Sequence, residues 1–214
     1  MLITCPDVDT LKDQKMPFFE TGGKRYLFIH IPKTGGSSIE DWLSKVATMI
    51  FFDPYPKPIT AVSPQHFPIK DIRRLFGVDW WDWSFTIVRN PYDRLESEYF
   101  YQVSLNKKIP EFNRWVEESL DIFRDDPFYL DNHLRTQRYF IDNTVNYFRF
   151  EDGLDAVFER LSLVLGVPKP SVPLRSMAGD RQPILWKKKT RALVNDHYFQ
   201  DFRAFNYPML EEVV

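Results

Sequence analysis

One cysteine, Cys5, stands in the 214 residues, so no intramolecular disulfide framework is available and a reducing compartment suits the chain. No run approaches the ~18 apolar residues of a membrane-spanning helix. The first twenty residues scatter Asp7, Asp9, Asp13 and Glu20 among apolar positions; they lack the basic start and apolar stretch of a secretory leader. Neither sign of charge is in excess. The 28 basic and 30 acidic residues leave a net charge of −2, without the global positive field that would attract nucleic acid. Internal repeats and low-complexity segments are absent as well. The expectation is a soluble, cytoplasmic chain with no nucleic-acid partner and no membrane span.

Apolar material is plentiful by contrast. A hydrophobic content of 43%, with 19 Phe, 10 Tyr and 6 Trp, suffices for one sizeable core and excludes general disorder. Residues 1–24 end in Thr21-Gly22-Gly23-Lys24, turn chemistry that delivers a first strand, and read as an arm packed on the surface. Residues 25–214 read as a single domain.

Within that domain, YLFIHIPKTGGSSIEDWL (26–43) organises the rest. Tyr26 to Ile31 form an apolar run closed by Pro32, and Ile39, Trp42, Leu43 and Val46 recur at helical spacing. The pattern is strand, tight loop, helix. Backbone N–H groups of such a loop and the positive end of the helix dipole, about half a charge, favour an anion at one point, most often a phosphate.

Further along, five prolines between Phe51 and Pro68 make a loop, since proline suits neither a helix interior nor a central strand. Its one titratable oddity is His66. Lys70 to Phe76 reads as a short helix stopped by Gly77, and Trp80, Trp81 and Trp83 lead into a second buried strand, Ser84 to Val88. That strand ends at Arg89, after which Asn90 suits a helix cap and Pro91 a first helical position. A helix from Pro110, a strand over Val145 to Phe150 and a helix carrying Leu154, Phe158, Leu161 and Leu165 follow. A Pro-rich, basic loop over 168–190 precedes a last helix with Val194, Tyr198, Phe202 and Phe205 on one side. Alternating strands and helices predict a three-layer α/β domain with a parallel sheet, its ligand at the carboxyl ends of the strands, where Lys33 and Arg89 fall.

The P-loop of nucleotide triphosphatases has the pattern G-x-x-x-x-G-K-[ST], and this loop departs from it: Lys33 precedes the glycines. The second strand ends in Arg89 where such enzymes usually place a magnesium-binding aspartate. Positive side chains, not magnesium, are expected to neutralise the ligand.

IPKTGGSS, followed some fifty residues later by FTIVRNPYDRLESEY, resembles the paired phosphate motifs of sulfotransferases that use 3′-phosphoadenosine 5′-phosphosulfate, the P-loop nucleotidase-like sulfotransferase fold. The resemblance implies that Lys33, Thr34, Gly35, Gly36, Ser37 and Ser38 hold the 5′-phosphosulfate and that Arg89 and Ser97 hold the 3′-phosphate. It implies a sulfuryl transfer without a metal, Lys33 following charge on the leaving oxygen, with adenosine 3′,5′-bisphosphate as product. HFPIKD, from His66 to Asp71, is similar to a segment of the glycan branch (uronyl 2-O and chondroitin-type sulfotransferases). There a histidine is followed five residues later by an acidic one, which makes His66 the general base. DNHLRTQRYF resembles another segment of that branch and offers His133 and Gln137 as acceptor contacts. The acceptor so implied is a hydroxyl of a saccharide or glycoconjugate. Related enzymes close over the nucleotide with a loop corresponding to the one that carries Arg181 and Lys187 to Lys189.

Simpler readings stand beside these. Ser37 and Glu40 make a capping box, S-x-x-E, and Arg89 can pair with Asp93 or Glu96 on its own helix. His66 would then be a surface histidine of its loop, His30 a rival base or a satisfied core residue, and Lys187 to Lys189 a solvated face. The competing functions are a divergent nucleotide kinase and a nucleotide-binding module without catalysis.

Overall fold

A computed structural model describes residues 18–50, 61–105, 108–170 and 183–210. The arm residues 1–17, the prolines at 54, 56 and 58, and Arg181 lie outside the described residues.

Among the described residues five strands form one sheet in the order β3-β1-β2-β4-β5: β1 Phe18–Thr21, β2 Lys24–Ile29, β3 Thr48–Met49, β4 Trp83–Val88 and β5 Asn146–Arg149. β2, β4 and β5 are parallel neighbours, with Phe28 opposite Phe85 and Val88 opposite Arg149. The expected all-parallel sheet needs one correction. β1 is antiparallel to β2 and to β3, so one strand of the five opposes the rest. Gly22 and Gly23, both at positive φ (58° and 74°), close a two-residue hairpin between β1 and β2, the geometry a type I′ turn requires. Residues 18–24 are therefore not a surface arm: Phe18 and Phe19 are buried on opposite faces of the sheet.

Among the described residues eight α-helices accompany the sheet: α1 Gly36–Val46, α2 Ile69–Phe76, α3 Pro91–Ser104, α4 Phe112–Asp125, α5 Gln137–Phe140, α6 Leu154–Leu165, α7 Lys188–His197 and α8 Phe199–Ala204. Side-chain alternation along the strands sorts them into two layers. Tyr26, Phe28, Phe85 and Ile87 meet α1 and α6 through Ile39, Trp42, Leu43, Phe158 and Leu161. Leu27, Ile29 and Val88 face the opposite cluster with Leu95, Trp115, Val194 and Phe202. Helices on both faces of one sheet are the expected three layers, and burying each large apolar side chain contributes roughly 1.5–3 kcal/mol.

Local signals act as their chemistry dictates. Asn90 accepts the Tyr92 N–H at 3.0 Å as the cap of α3, with Pro91 in the first turn. Gly77 ends α2 at φ 82°, and Gly166 ends α6 at φ 66°. The single C-terminal helix expected from the periodicity breaks at Tyr198 into α7 and α8, yet Val194, Tyr198, Phe202 and Phe205 are all buried.

Candidate functional site

β2 delivers the chain to the loop at Pro32–Gly35. Two residues there adopt the left-handed region, Lys33 at φ 67° and Gly35 at φ 90°. The strain at Lys33, a residue with a Cβ, costs of order 1–3 kcal/mol. Thr34 Oγ1 donates to the Ile31 carbonyl at 2.8 Å, and the Ser38 N–H returns to the Gly35 carbonyl at 3.1 Å. Neither glycine tolerates a side chain: a Cβ at Gly35 would lie 2.9 Å from the Phe150 ring, and one at Gly36 would lie 2.7 Å from His30 Nε2. Ser37 is exposed and Ser38 half-buried at the helix start.

The capping box does not form. Gly35 is the cap of α1 and no side chain caps the helix. Glu40 turns away instead, with Oε1 2.8 Å from His30 Nδ1 and Oε2 accepting from Gln65 Nε2 at 2.7 Å. The first turn of α1 contains no acidic residue, so no carboxylate there offsets the positive end of the helix dipole.

Arg89 follows β4 directly, and its Nη1 donates to the Lys33 carbonyl at 3.2 Å. Its guanidinium carbon stands 4.5 Å from the centroid of the Phe150 ring. Glu96 accepts from Trp186 Nε1 at 2.7 Å. Asp93 feels the Arg89 charge, although burial outweighs it and pushes the Asp93 carboxyl up. Ser97 is buried about two turns into α3. Gln137 is fully buried and brackets Arg89: its Oε1 accepts the Arg89 N–H and its Nε2 donates to the Arg89 carbonyl, both at 2.8 Å. It therefore fixes a strand end, with both ends of its amide on the Arg89 backbone.

One buried cation escaped the sequence reading. Arg94 donates from Nε to the Pro32 carbonyl (2.9 Å), from Nη1 to Arg135 (2.8 Å) and from Nη2 to His133 (2.8 Å). It ties the glycine loop to the segment that carries His133. Arg94, Glu98 and Gln102 recur every fourth residue of α3 and are all buried. This polar stripe at helical spacing is the signal that would have found them.

Three histidines form a row beside the loop. Ring centroids of His30 and His66 are 5.5 Å apart, and those of His66 and His133 are 4.9 Å apart. Each ring has Nδ1 against a carboxylate: His30 on Glu40 at 2.8 Å, His66 on Asp131 at 3.0 Å and His133 on Glu98 at 2.5 Å. Tyr101 stacks on His133 at 6.1 Å, and Lys33 Nζ lies 4.0 Å from the centroid of the Tyr101 ring. The loop lysine and the histidine row thus share an aromatic neighbour. Asp71, five residues after His66, pairs with Arg74 at 3.2 Å.

Burial lowers His66 to about 4, with the nearby His133 and His30 adding to the shift and the hydrogen bond to Asp131 opposing it. Burial would raise Asp131, but the hydrogen bonds from His66 and from the Ser63 side chain and N–H outweigh that, holding it far below the usual carboxylate range. His66 is thus neutral at pH 7 and charges only as the pH falls toward 4. Because its folded value lies below the ordinary 6.5, its neutral form contributes stability above pH 6.5 that is lost as the pH drops through 4. NMR titration of the His66 ring is expected to give a midpoint near 4 in the free protein, rising when a polyanionic nucleotide binds alongside, because negative charge favours the imidazolium. A free-protein midpoint near 6.5 would contradict this environment.

His66, Asp131 and His133 also offer ligand atoms within 4.8 Å of one another, a cluster among the described residues that could hold a metal ion. Asp131 is already engaged by Ser63 and His66, and His133 Nδ1 by Glu98.

Fold and site together define an α/β protein with cations gathered at the carboxyl ends of neighbouring parallel strands and a row of carboxylate-backed histidines next to them. The chain belongs to the sulfotransferase family, whose model matches residues 17–208. It is accordingly a transferase of sulfuryl groups. Searches of curated proteins and of solved structures gave no match. Among the described residues no helix is long and apolar enough to cross a membrane.

Proposed function

We propose that the chain, through one domain that includes β1 and in a cytoplasmic setting, transfers a sulfuryl group from 3′-phosphoadenosine 5′-phosphosulfate to a hydroxyl of a saccharide or glycoconjugate, without a metal. The observation that carries the reading is the meeting of Lys33 and Arg89, joined by the hydrogen bond from Arg89 Nη1 to the Lys33 carbonyl. Two cations at adjoining strand ends, beside a helix start free of acidic residues in its first turn, suit a ligand with two separate phosphate groups.

The donor supplies a sulfuryl group bound through oxygen to its 5′-phosphate. In this reading the loop from Lys33 to Ser38 binds the phosphosulfate, with Lys33 facing charge on the leaving oxygen, and Arg89 with Ser97 binds the 3′-phosphate. His66 takes the proton of the acceptor hydroxyl, an alcohol being a poor nucleophile at neutral pH without a base. His133 lies beside it as an acceptor contact. Binding donor and acceptor together provides the remaining acceleration, through proximity and charge stabilisation.

A nucleotide kinase is disfavoured by the arginine at the end of β4, and a purely binding module has no use for three carboxylate-backed histidines. Calorimetry separates these readings. Adenosine 3′,5′-bisphosphate is expected to bind one per chain, equally well with and without a chelator. Arg89→Ala is expected to weaken it about 10–100-fold, the worth of a charge-assisted hydrogen-bond pair of ~1.5–3 kcal/mol. Tighter binding of magnesium ATP than of the bisphosphate would favour the kinase.

A further inference from the structure

Leu130, Asp131 and Asn132 hold φ at 55°, 55° and 67°. None is glycine, and in each the Cβ crowds the following carbonyl oxygen, so three successive left-handed residues are sterically disfavoured. Such a turn persists only where surrounding contacts over-determine it, and outliers of this kind cluster at functional sites.

The contacts that hold this turn converge on the stretch 63–66. Asp131 Oδ1 accepts the Ser63 N–H at 2.6 Å, and Oδ2 accepts the Ser63 hydroxyl at 2.6 Å. Oδ2 also lies 3.0 Å from His66 Nδ1. The buried side chain of Asn132 donates from Nδ2 to the His66 carbonyl at 3.1 Å. One carboxylate is thus fixed by two bonds from Ser63, and the residue whose ring it meets is fixed through its backbone by the next residue of the same turn. The turn closes with the His133 N–H on the Leu130 carbonyl at 2.9 Å, which sets the His133 ring beside that of His66.

We propose that Asp131 is the positioning residue of His66, presented by the left-handed turn so that the ring carries its proton on Nδ1 and keeps the lone pair on Nε2. The chemistry is one-sided. An ionised carboxylate only accepts, so the imidazole nitrogen facing it must donate, and a neutral ring has one proton to place. Free histidine would divide between two tautomers; here one is selected before any acceptor arrives. The proposal rests on the reading of His66 as the base. In the transfer step the acceptor O–H gives its proton to Nε2 and its oxygen bonds to sulfur. The bond from sulfur to the phosphate oxygen breaks, leaving its electron pair on that oxygen. The imidazolium so formed faces the Asp131 carboxylate, which stabilises it without taking the proton.

Asp131→Asn tests this directly. The amide oxygen can still accept from Ser63, while its NH2 faces His66 and donates to Nδ1, driving the ring proton to Nε2. In ¹⁵N NMR of histidine-labelled protein at pH 7, His66 is expected to be Nδ1-protonated in the wild type and Nε2-protonated in Asp131→Asn. Turnover should fall about 10²–10⁴-fold, the scale of a wrong tautomer or a lost base, with KM for the donor within a few-fold of wild type. A wild-type tautomer or wild-type kcat in Asp131→Asn, while His66→Ala is inactive, would overturn the proposal. If His66→Ala itself keeps wild-type turnover, the base reading fails, and the NMR result still judges whether Asp131 sets the tautomer. Should Asp131→Asn not fold, the wild-type spectrum decides alone: an Nε2-protonated His66 at pH 7 contradicts the proposal.

Discussion

Lys33→Ala is expected to lower the rate of sulfate transfer about 10²–10³-fold, the usual cost of removing one preorganised group from a developing negative charge. The loss should fall mainly on kcat, because the charge on the leaving oxygen grows toward the transition state and interactions made only there act on kcat. The backbone allows a clean control. Lys33 sits at φ 67°, a conformation strained for alanine as for lysine but ordinary for glycine. A deficit shared by Lys33→Ala and Lys33→Gly is then a loss of the ammonium group and not of loop shape. Lys33→Arg is not expected to restore full activity, since a planar guanidinium cannot follow charge as a compact ammonium does. Turnover within a few-fold of wild type in Lys33→Ala would remove the lysine from the chemistry.

His66→Ala is expected to cost about 10²–10⁴-fold in turnover, the range of a general base, while binding of adenosine 3′,5′-bisphosphate stays within a few-fold of wild type. His66 meets Asp131 and the neighbouring rings of His30 and His133, none of which belongs to the loop that holds Lys33. The effect should therefore separate from that of Lys33: His66 variants lose the proton-dependent step, and Lys33 variants lose leaving-group stabilisation. His66→Gln, which keeps most of the volume, guards against a loss caused by a packing defect at this buried position. His133→Ala is expected to have the smaller effect on kcat. If His133→Ala were inactive and His66→Ala fully active, the two histidines would exchange roles.

The parts of this site that follow from local chemistry are legible in the sequence. A short apolar run, a Pro-Lys-Thr-Gly-Gly loop and an amphipathic helix define the β2–α1 turn, and Asn90-Pro91 fixes the start of α3 just past Arg89. The parts that depend on long-range contacts are not. Asp131 reaches His66 across 65 residues through a left-handed turn that no residue of the Leu-Asp-Asn sequence demands, while Asp71, the acidic residue of the HFPIKD segment, pairs with Arg74. Glu40 satisfies the capping-box pattern, yet a glycine occupies the cap, and the buried His30 and Gln65 are better partners for its carboxylate. Gln137 carries the polarity of a binding residue and uses it on the Arg89 backbone. β1 is not legible in the sequence because a four-residue strand ending in a glycine pair also resembles the end of an arm; only the pairing of Phe18 and Phe19 with Leu27 and Tyr26 distinguishes them.

The residues from Lys33 to His133 thus divide into two halves that Arg94 and Tyr101 join. Arg94 binds the Pro32 carbonyl of one half and the His133 and Arg135 carbonyls of the other. Tyr101 stacks on His133 and lies under Lys33. A donor group on the loop and an acceptor hydroxyl at the histidine row would be brought to one place by contacts already present in the fold. This arrangement accounts for a transfer reaction better than for phosphate binding alone.

Metal-independent sulfuryl transfer to a glycan is read out by incubating the protein with ³⁵S-labelled 3′-phosphoadenosine 5′-phosphosulfate and a panel of glycan, lipid and phenol acceptors in excess chelator. Label is expected in a saccharide or glycoconjugate hydroxyl, at a rate unchanged by the chelator and lowered about 10²–10³-fold in Lys33→Ala. Label that enters no glycan while a phenol or lipid is sulfated, or transfer that stops in chelator and returns with added metal, would contradict it.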